Sequence, residues 1–135
     1  MSTLLRRALH MLLLITFLSP LAPVVRAQGP STQSLTDPGW QASYWNNRTL
    51  SGAPTLRRFD PQLNFDWGYG SPDPALPADD FSARWERYVD LTPGNYRFTA
   101  VADDGLRLWL DGELLIDGWQ EQAAQRFTAD RAIKQ

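Results

Sequence analysis

Val101-Ala102-Asp103-Asp104-Gly105-Leu106-Arg107-Leu108-Trp109-Leu110-Asp111-Gly112 decides the reading of this chain. An alternating run enters two adjacent aspartates and a glycine, and a second alternating run leaves them for an Asp-Gly turn, so two strands hold a loop with two carboxylates. In an extended trans chain neighbouring side chains point to opposite faces, and adjacent aspartates do not converge on one ligand. A cis peptide between them sets the two Cα atoms about 2.9 Å apart and both carboxylates on one side. Calcium is then the natural guest: a hard cation that takes about 6–8 oxygens, of which two carboxylates supply only part. The plainer reading is a polar turn in which Gly105 supplies a positive φ.

Outward from this loop the pattern is that of a β-protein. Upstream, Tyr96, Phe98, Ala100 and Ala102 share one side of a strand, reached through Thr92-Pro93-Gly94-Asn95, which suits a type II turn with Gly94 at the positive-φ position. Before that turn Phe81, Ala83, Trp85, Val89 and Leu91 share a face, with Arg87 as the exception. Downstream, Leu106, Leu108 and Leu110 face one way, Asp111-Gly112 turns the chain, and Leu114-Leu115-Ile116 returns to Asp117-Gly118-Trp119. Asp111 reads as a turn residue and not as a ligand. From Gln120 to Gln135 the chain is polar, alternates weakly through Phe127 and Ile133, and shows no evident strand partner.

Towards the N-terminus, Trp40, Ala42 and Tyr44 alternate as a first short strand. Leu50 to Asp80 reads as irregular, broken by Pro54, Pro61, Pro72, Pro74 and Pro77. Phe65, Trp67 and Tyr69, spaced at two, fit either a loop that lays aromatic rings over the core edge or a stacking platform for sugar rings. Asn47-Arg48-Thr49 matches the glycosylation acceptor triplet, a pattern too common to carry weight. Residues 28–39 are rich in Ser, Thr, Pro and Gly and read as a linker.

Residues 1–27 have the layout of a secretory signal peptide: Arg6 and Arg7, an apolar middle from Ala8 to Leu18, and Val25-Arg26-Ala27 before Gln28. The apolar run is short for a membrane span and is soon broken by Pro20 and Pro23. An uncleaved anchor is the alternative. Without Arg6, Arg7 and Arg26 the 13 basic residues become 10 against 15 acidic, a formal charge of −5. Such a surface favours neither nucleic acid nor anionic membranes, and no membrane insertion is expected after cleavage.

The 135 residues suffice for one core. There is no cysteine, and the one histidine, His10, lies in the leader. A mature chain without imidazole or thiol has no Ser-His-Asp or Cys-His machinery and no His or Cys zinc ligands.

Several spaced segments, in one order, carry a family resemblance: Phe65-Asp66-Trp67-Gly68, Ser71-Pro72, Asp80-Phe81-Ser82-Ala83-Arg84-Trp85, Gly94-Asn95-Tyr96-Arg97-Phe98, the stretch from Asp103 to Gly112, and Ile116-Asp117-Gly118-Trp119. From about Trp40 onward the chain resembles the PA-fourteen domain, named for the protective-antigen component of a bacterial toxin. The resemblance implies an all-β, antiparallel β-sandwich or barrel over residues 40–135, incomplete at the C-terminus, of a kind found in secreted adhesins, toxins, glycosidases and surface proteins. In its lectin members consecutive aspartates joined by a cis peptide hold calcium, which sugar hydroxyls complete, and a later loop adds a further ligand, usually asparagine. Asp103 and Asp104 match the pair; the chain ends before that later loop.

The expected function is a secreted, calcium-dependent module for a glycan or cell-wall polysaccharide, extracellular or at the cell surface, within a longer parent chain. Asp103 and Asp104 are the metal ligands, and Trp119 and Asp117 the candidate sugar contacts. A structural or adhesive β-domain without sugar binding is the alternative, and an accessory domain of a glycoside hydrolase comes third. Catalysis by the aspartate pair itself is not expected, since glycosidase carboxylates stand about 5–5.5 or 6.5–9.5 Å apart across a cleft, which adjacent loop residues do not do.

Overall fold

The computed structural model of the chain describes residues 5–15, 26–28 and 39–134. These form strands β1 (Leu5–Ile15), β2 (Arg26–Gln28), β3 (Trp40–Trp45), β4 (Leu56–Asp60), β5 (Phe81–Leu91), β6 (Gly94–Ala102), β7 (Gly105–Leu110), β8 (Glu113–Gly118) and β9 (Gln125–Ile133). A six-stranded sheet runs β4-β3-β5-β1-β7-β8 and a three-stranded sheet runs β2-β6-β9, with antiparallel pairing throughout. The fold is an all-β sandwich, and none of the described residues is helical.

Period-two alternation gives each sheet one apolar face, and the two faces meet. Phe81, Ala83 and Trp85 of β5 and Leu106 and Leu108 of β7 are buried from the larger sheet, against Phe98, Ala100 and Ala102 of β6 from the smaller. At the β7–β8 hairpin Asp111 and Gly112 both take positive φ, 52° and 79°, the requirement of a two-residue turn that follows strand twist. Phe65 and Trp67 stack on each other at 4.9 Å; Phe65 also stacks on Trp85, and Trp67 meets Phe81 edge-on. These two rings roof the core, as the first of the two sequence alternatives has it, whereas Tyr69 stands 86% exposed.

Several elements add to or differ from the sequence reading. Leu56–Asp60, inside the stretch expected to be irregular, is strand β4, paired with β3 from Trp40↔Asp60 to Tyr44↔Leu56. Its inward positions include Arg58 and Asp60, so no apolar alternation marks it. The polar tail also has a partner: Gln125–Ile133 pairs with the whole of β6, from Gly94↔Ile133 to Ala102↔Gln125. Its more buried positions are Phe127, Ala129, Arg131 and Ile133, too mixed to read as a core strand. Finally, Leu5–Ile15, within the stretch 1–27 read above as a leader with its apolar middle from Ala8 to Leu18, is a strand inside the larger sheet, and Arg26–Gln28 pairs with β6. An apolar run of this length suits a leader and a buried strand equally well. Residues 16–25 and most of the expected linker, 29–38, lie outside the described residues. The Thr92–Asn95 turn also departs from expectation, because Gly94 opens β6 without a positive φ.

The polar inward positions of β4 have a physical cause. Asp60, 4% exposed, accepts hydrogen bonds from Tyr44 Oη at 2.6 Å, Trp85 Nε1 at 2.7 Å and Arg58 Nε at 2.7 Å. Arg58 also donates to Tyr44 Oη at 2.9 Å and to the Pro72 carbonyl at 2.8 Å, which ties the long loop to the sheet edge. Burial, reinforced by the hydrogen bond to Asp60, pushes the Tyr44 hydroxyl well above its ordinary pKa and keeps it a donor. Removing one member of a buried ion pair strands the other and typically costs about 3–5 kcal/mol. Because Arg58 keeps 28% of its side chain exposed, Asp60→Ala is expected at the lower end, about 3 kcal/mol, read as a fall in denaturation midpoint of the full chain.

Candidate functional site

The β6–β7 turn carries Asp103 and Asp104, joined by a cis peptide bond. Asp104 is buried, 5% exposed, and Asp103 is half-buried. Both carboxylates are held by backbone of the β8–β9 loop. Asp104 Oδ1 accepts the Gln122 N–H at 3.1 Å, and Asp103 accepts the Ala124 N–H. The Gln122 side chain donates to the Asp104 carbonyl at 3.4 Å and accepts from Gln120 Nε2 at 2.9 Å.

Gly105 explains why the two loops lie so close. A Cβ there would stand 2.4 Å from the Gly118 carbonyl oxygen, 2.5 Å from Gln120 N and 2.6 Å from Gln120 O. Only glycine admits that approach, and its φ is not positive, so the turn reading in which Gly105 supplies a left-handed conformation is corrected to one of clearance. Gly118 is needed for the same reason, since a Cβ would meet the Phe127 ring at 2.2 Å.

Burial, and next the charge of Asp104, raises the Asp103 carboxyl above the ordinary carboxylate range, and the Ala124 hydrogen bond partly offsets this. The pair is therefore a repulsive one, which a divalent cation would relieve. In kind the two carboxylates suit calcium, since both are hard oxygen donors, while the β8–β9 loop reaches them through N–H groups. In number the acidic groups are few, for among the described residues no group of three or more His, Cys, Asp or Glu side chains is placed to hold a metal ion.

The two candidate sugar contacts lie next to this loop. Asp117, exposed on β8, accepts from Arg107 Nε at 2.6 Å and from the Trp119 N–H, and these bonds, the first above all, hold its carboxyl below the usual range. Trp119 is half-buried, with the Arg107 guanidinium 5.6 Å from its ring centre. The structure thus gathers Asp103 and Asp104 under the β8–β9 loop, and Asp117 and Trp119 around Arg107 at its start. Sequence reasoning passed over Gln122, Gln120 and the loop clasp made by Arg48, which pairs with Glu121 and lies 3.7 Å from Asp80. No spacing rule marks Gln120-Glu121-Gln122; only the fold brings it to the aspartates. The Asn47 amide is occupied within its own loop, accepting from the Thr49 and Ser51 N–H groups and donating to the Ser51 carbonyl.

Comparison with known proteins agrees with this architecture. The chain is 43% identical over 90 residues to the anti-sigma-I factor RsgI3 of Acetivibrio thermocellus, an alignment covering 66% of this chain and 14% of that protein. The chain therefore corresponds to a small part of that relative's length. No solved structure matches it. The PA14 domain signature matches residues 36–134. That span takes in the candidate site, both loops around it and most of the chain, and the protein belongs to the PA14 domain family.

Proposed function

We propose that this domain is a secreted, non-catalytic carbohydrate-binding module in which Asp103 and Asp104 hold a calcium ion and Trp119 and Asp117 flank the sugar. The observation that carries the reading is the braced carboxylate pair. Two adjacent acidic side chains, one buried, are fixed by N–H groups of a single loop and repel one another, so a hard cation gains two preorganised ligands and removes the repulsion. When bound, calcium would supply coordination positions for vicinal sugar hydroxyls. The chain's own part is to hold the carboxylates, seat the loop over Gly105 and present the Trp119 ring beside Arg107. Glycan or cell-wall polysaccharide is the proposed partner, with residues 1–27 as the secretion leader and further domains in a longer parent chain. Among the described residues no helix is long and apolar enough to cross a membrane.

A second reading has its own observation. Both carboxylates already accept loop N–H groups, which is enough to shape a loop in a structural or adhesive domain that binds no sugar. Calcium dependence separates the two.

Calorimetric titration of the full chain with calcium is expected to show one site, and calcium at about 100 times its Kd to stabilise the fold by about 2.7 kcal/mol. Asp104→Asn, which keeps an acceptor for the Gln122 N–H, should remove that gain and leave the calcium-free protein folded. A folded wild type with no calcium response would leave the structural reading standing.

The Asp103 carboxyl sets a pH dependence whose sign is fixed. Its folded-state pKa is raised, so the native state holds this proton to higher pH than the unfolded chain does. In calcium-free buffer that stabilisation is complete below the unfolded carboxylate pKa, about 3.9, and is lost as pH rises through the folded value. Calcium competes for the same oxygens, so its melting-temperature increment should grow over that interval. Thermal melts from about pH 4 to 7, with and without calcium, read both trends. Gly105→Ala drives a methyl into the Gly118–Gln120 backbone and should cost roughly 1–3 kcal/mol while weakening calcium binding, measured by the same melts and titration.

A further inference from the structure

Three loops that are far apart in sequence meet at Arg48. The β3–β4 loop carries it, and its Nε lies 3.7 Å from a carboxylate oxygen of Asp80, the residue before β5 begins. Its Nη2 pairs with Glu121 of the β8–β9 loop. Arg48 keeps 37% of its side chain exposed and Glu121 64%, so the pair sits at the surface and contributes little to overall stability. Glu121 stands between Gln120, whose backbone packs on Gly105, and Gln122, whose N–H is donated to Asp104. Among the described residues Glu121 has no other ion-pair partner.

The two ends of this clasp are held unequally. On the Arg48 side, Ser82 of β5 has no exposed surface, accepts the Leu50 N–H at 3.1 Å and donates to the Asn47 carbonyl at 2.6 Å. Arg48 lies between those two attachment points. Trp45 Nε1 adds a bond to the Gly52 carbonyl at 2.9 Å, and the Thr55 N–H one to the Tyr44 carbonyl at 2.8 Å. On the other side, residues 119–124 belong to no strand, and the N–H groups of Gln122 and Ala124 run to the aspartates themselves. A loop tied to the groups it braces moves with them. The Arg48–Glu121 pair refers it instead to the scaffold of β3 and β5.

We infer that Arg48 is a positioning residue of the aspartate site, holding the β8–β9 loop so that the Gln122 and Ala124 N–H groups meet Asp104 and Asp103. It acts through Glu121 and touches no ligand itself. Two influences on a bound cation then oppose each other. A guanidinium near a cation site repels the cation, so the field alone gives tighter calcium binding when Arg48 is neutralised. Positioning gives the reverse, since a loosened loop leaves the carboxylates less preorganised. At Glu121 the two influences agree, and neutralising it weakens binding either way. The calcium consequence rests on the function proposed above, whereas the seating of the loop does not.

The test compares Arg48→Gln and Glu121→Gln in the full chain, with the denaturation midpoint as the check on the fold. In calcium-free buffer, hydrogen exchange of the Gln122 and Ala124 amides should quicken about three- to fivefold in both variants, the range open to a partly exposed pair. Core amides of β5 and β7 and the midpoint should stay unchanged. Calorimetry should then show calcium bound about three- to fivefold more weakly by each variant, and no more weakly by the double variant than by either alone. Unchanged exchange at the two amides overturns the inference, and so does an acceleration that spreads through the core with a lowered midpoint. Equal or tighter calcium binding by Arg48→Gln overturns it as well. A folded wild type that takes up no calcium overturns the calcium reading alone, and the exchange measurement still decides the role of Arg48.

Discussion

A carboxylate taken out of water must have its oxygens engaged, and Asp60 engages them with donors from β3, β4 and β5. Much follows from that one group. Tyr44 and Trp85 are turned toward it and meet edge to face at 5.6 Å, which fixes the register of their strands. Trp85 then offers a flat surface for Phe65, and Trp67 stacks in turn, so the proline-broken loop from 61 to 80 has a defined seat without any strand of its own. Arg58 closes the arrangement through the Pro72 carbonyl. The loop's order comes from one buried charge and the rings aligned by it.

At the candidate site the constraint is clearance. The β6–β7 turn and the β8–β9 loop touch through backbone at Gly105, and Gly118 makes room for the Phe127 ring of β9. The carboxylates and the Trp119 ring therefore sit on two loops that pack directly against each other at Gly105. Anything that shifts the β8–β9 loop moves the N–H groups of Gln122 and Ala124, and with them the oxygens of Asp104 and Asp103.

The strands legible in the sequence were those whose inward residues are mostly apolar at every second position, β3, β5 with Arg87 as its exception, β6 and β7, and β8 was marked by its return from the Asp111-Gly112 turn. The cis peptide between Asp103 and Asp104 was legible because neighbouring side chains of an extended trans chain point to opposite faces. β4 was hidden because Arg58 and Asp60 face inward, and β9 because Arg131 and Ala129 share its more buried side with Phe127 and Ile133. The loop that braces the site had no signal of its own, since glutamines near a turn are ordinary until the fold brings them under a carboxylate. Residues 5–15 were ambiguous for a deeper reason: hydrophobic content without a distinctive period describes a leader and a strand in the same terms.

The position of β1 bears on how the domain assembles. Its ladders join Leu5 to Leu91 and Leu9 to Leu110, so the centre of the larger sheet is completed by contacts between distant parts of the chain. Loop closure over such separations is entropically costly before any pairing compensates, and topologies of high contact order fold slowly. The local hairpin β7–β8 can form early, while β5 and β7 wait with open edges for their shared neighbour. During that interval the apolar walls of the seam, Ala83, Trp85, Leu106 and Leu108, which the finished fold buries completely, stay open to water. The kinetics of this domain are thereby tied to how long that seam stays open.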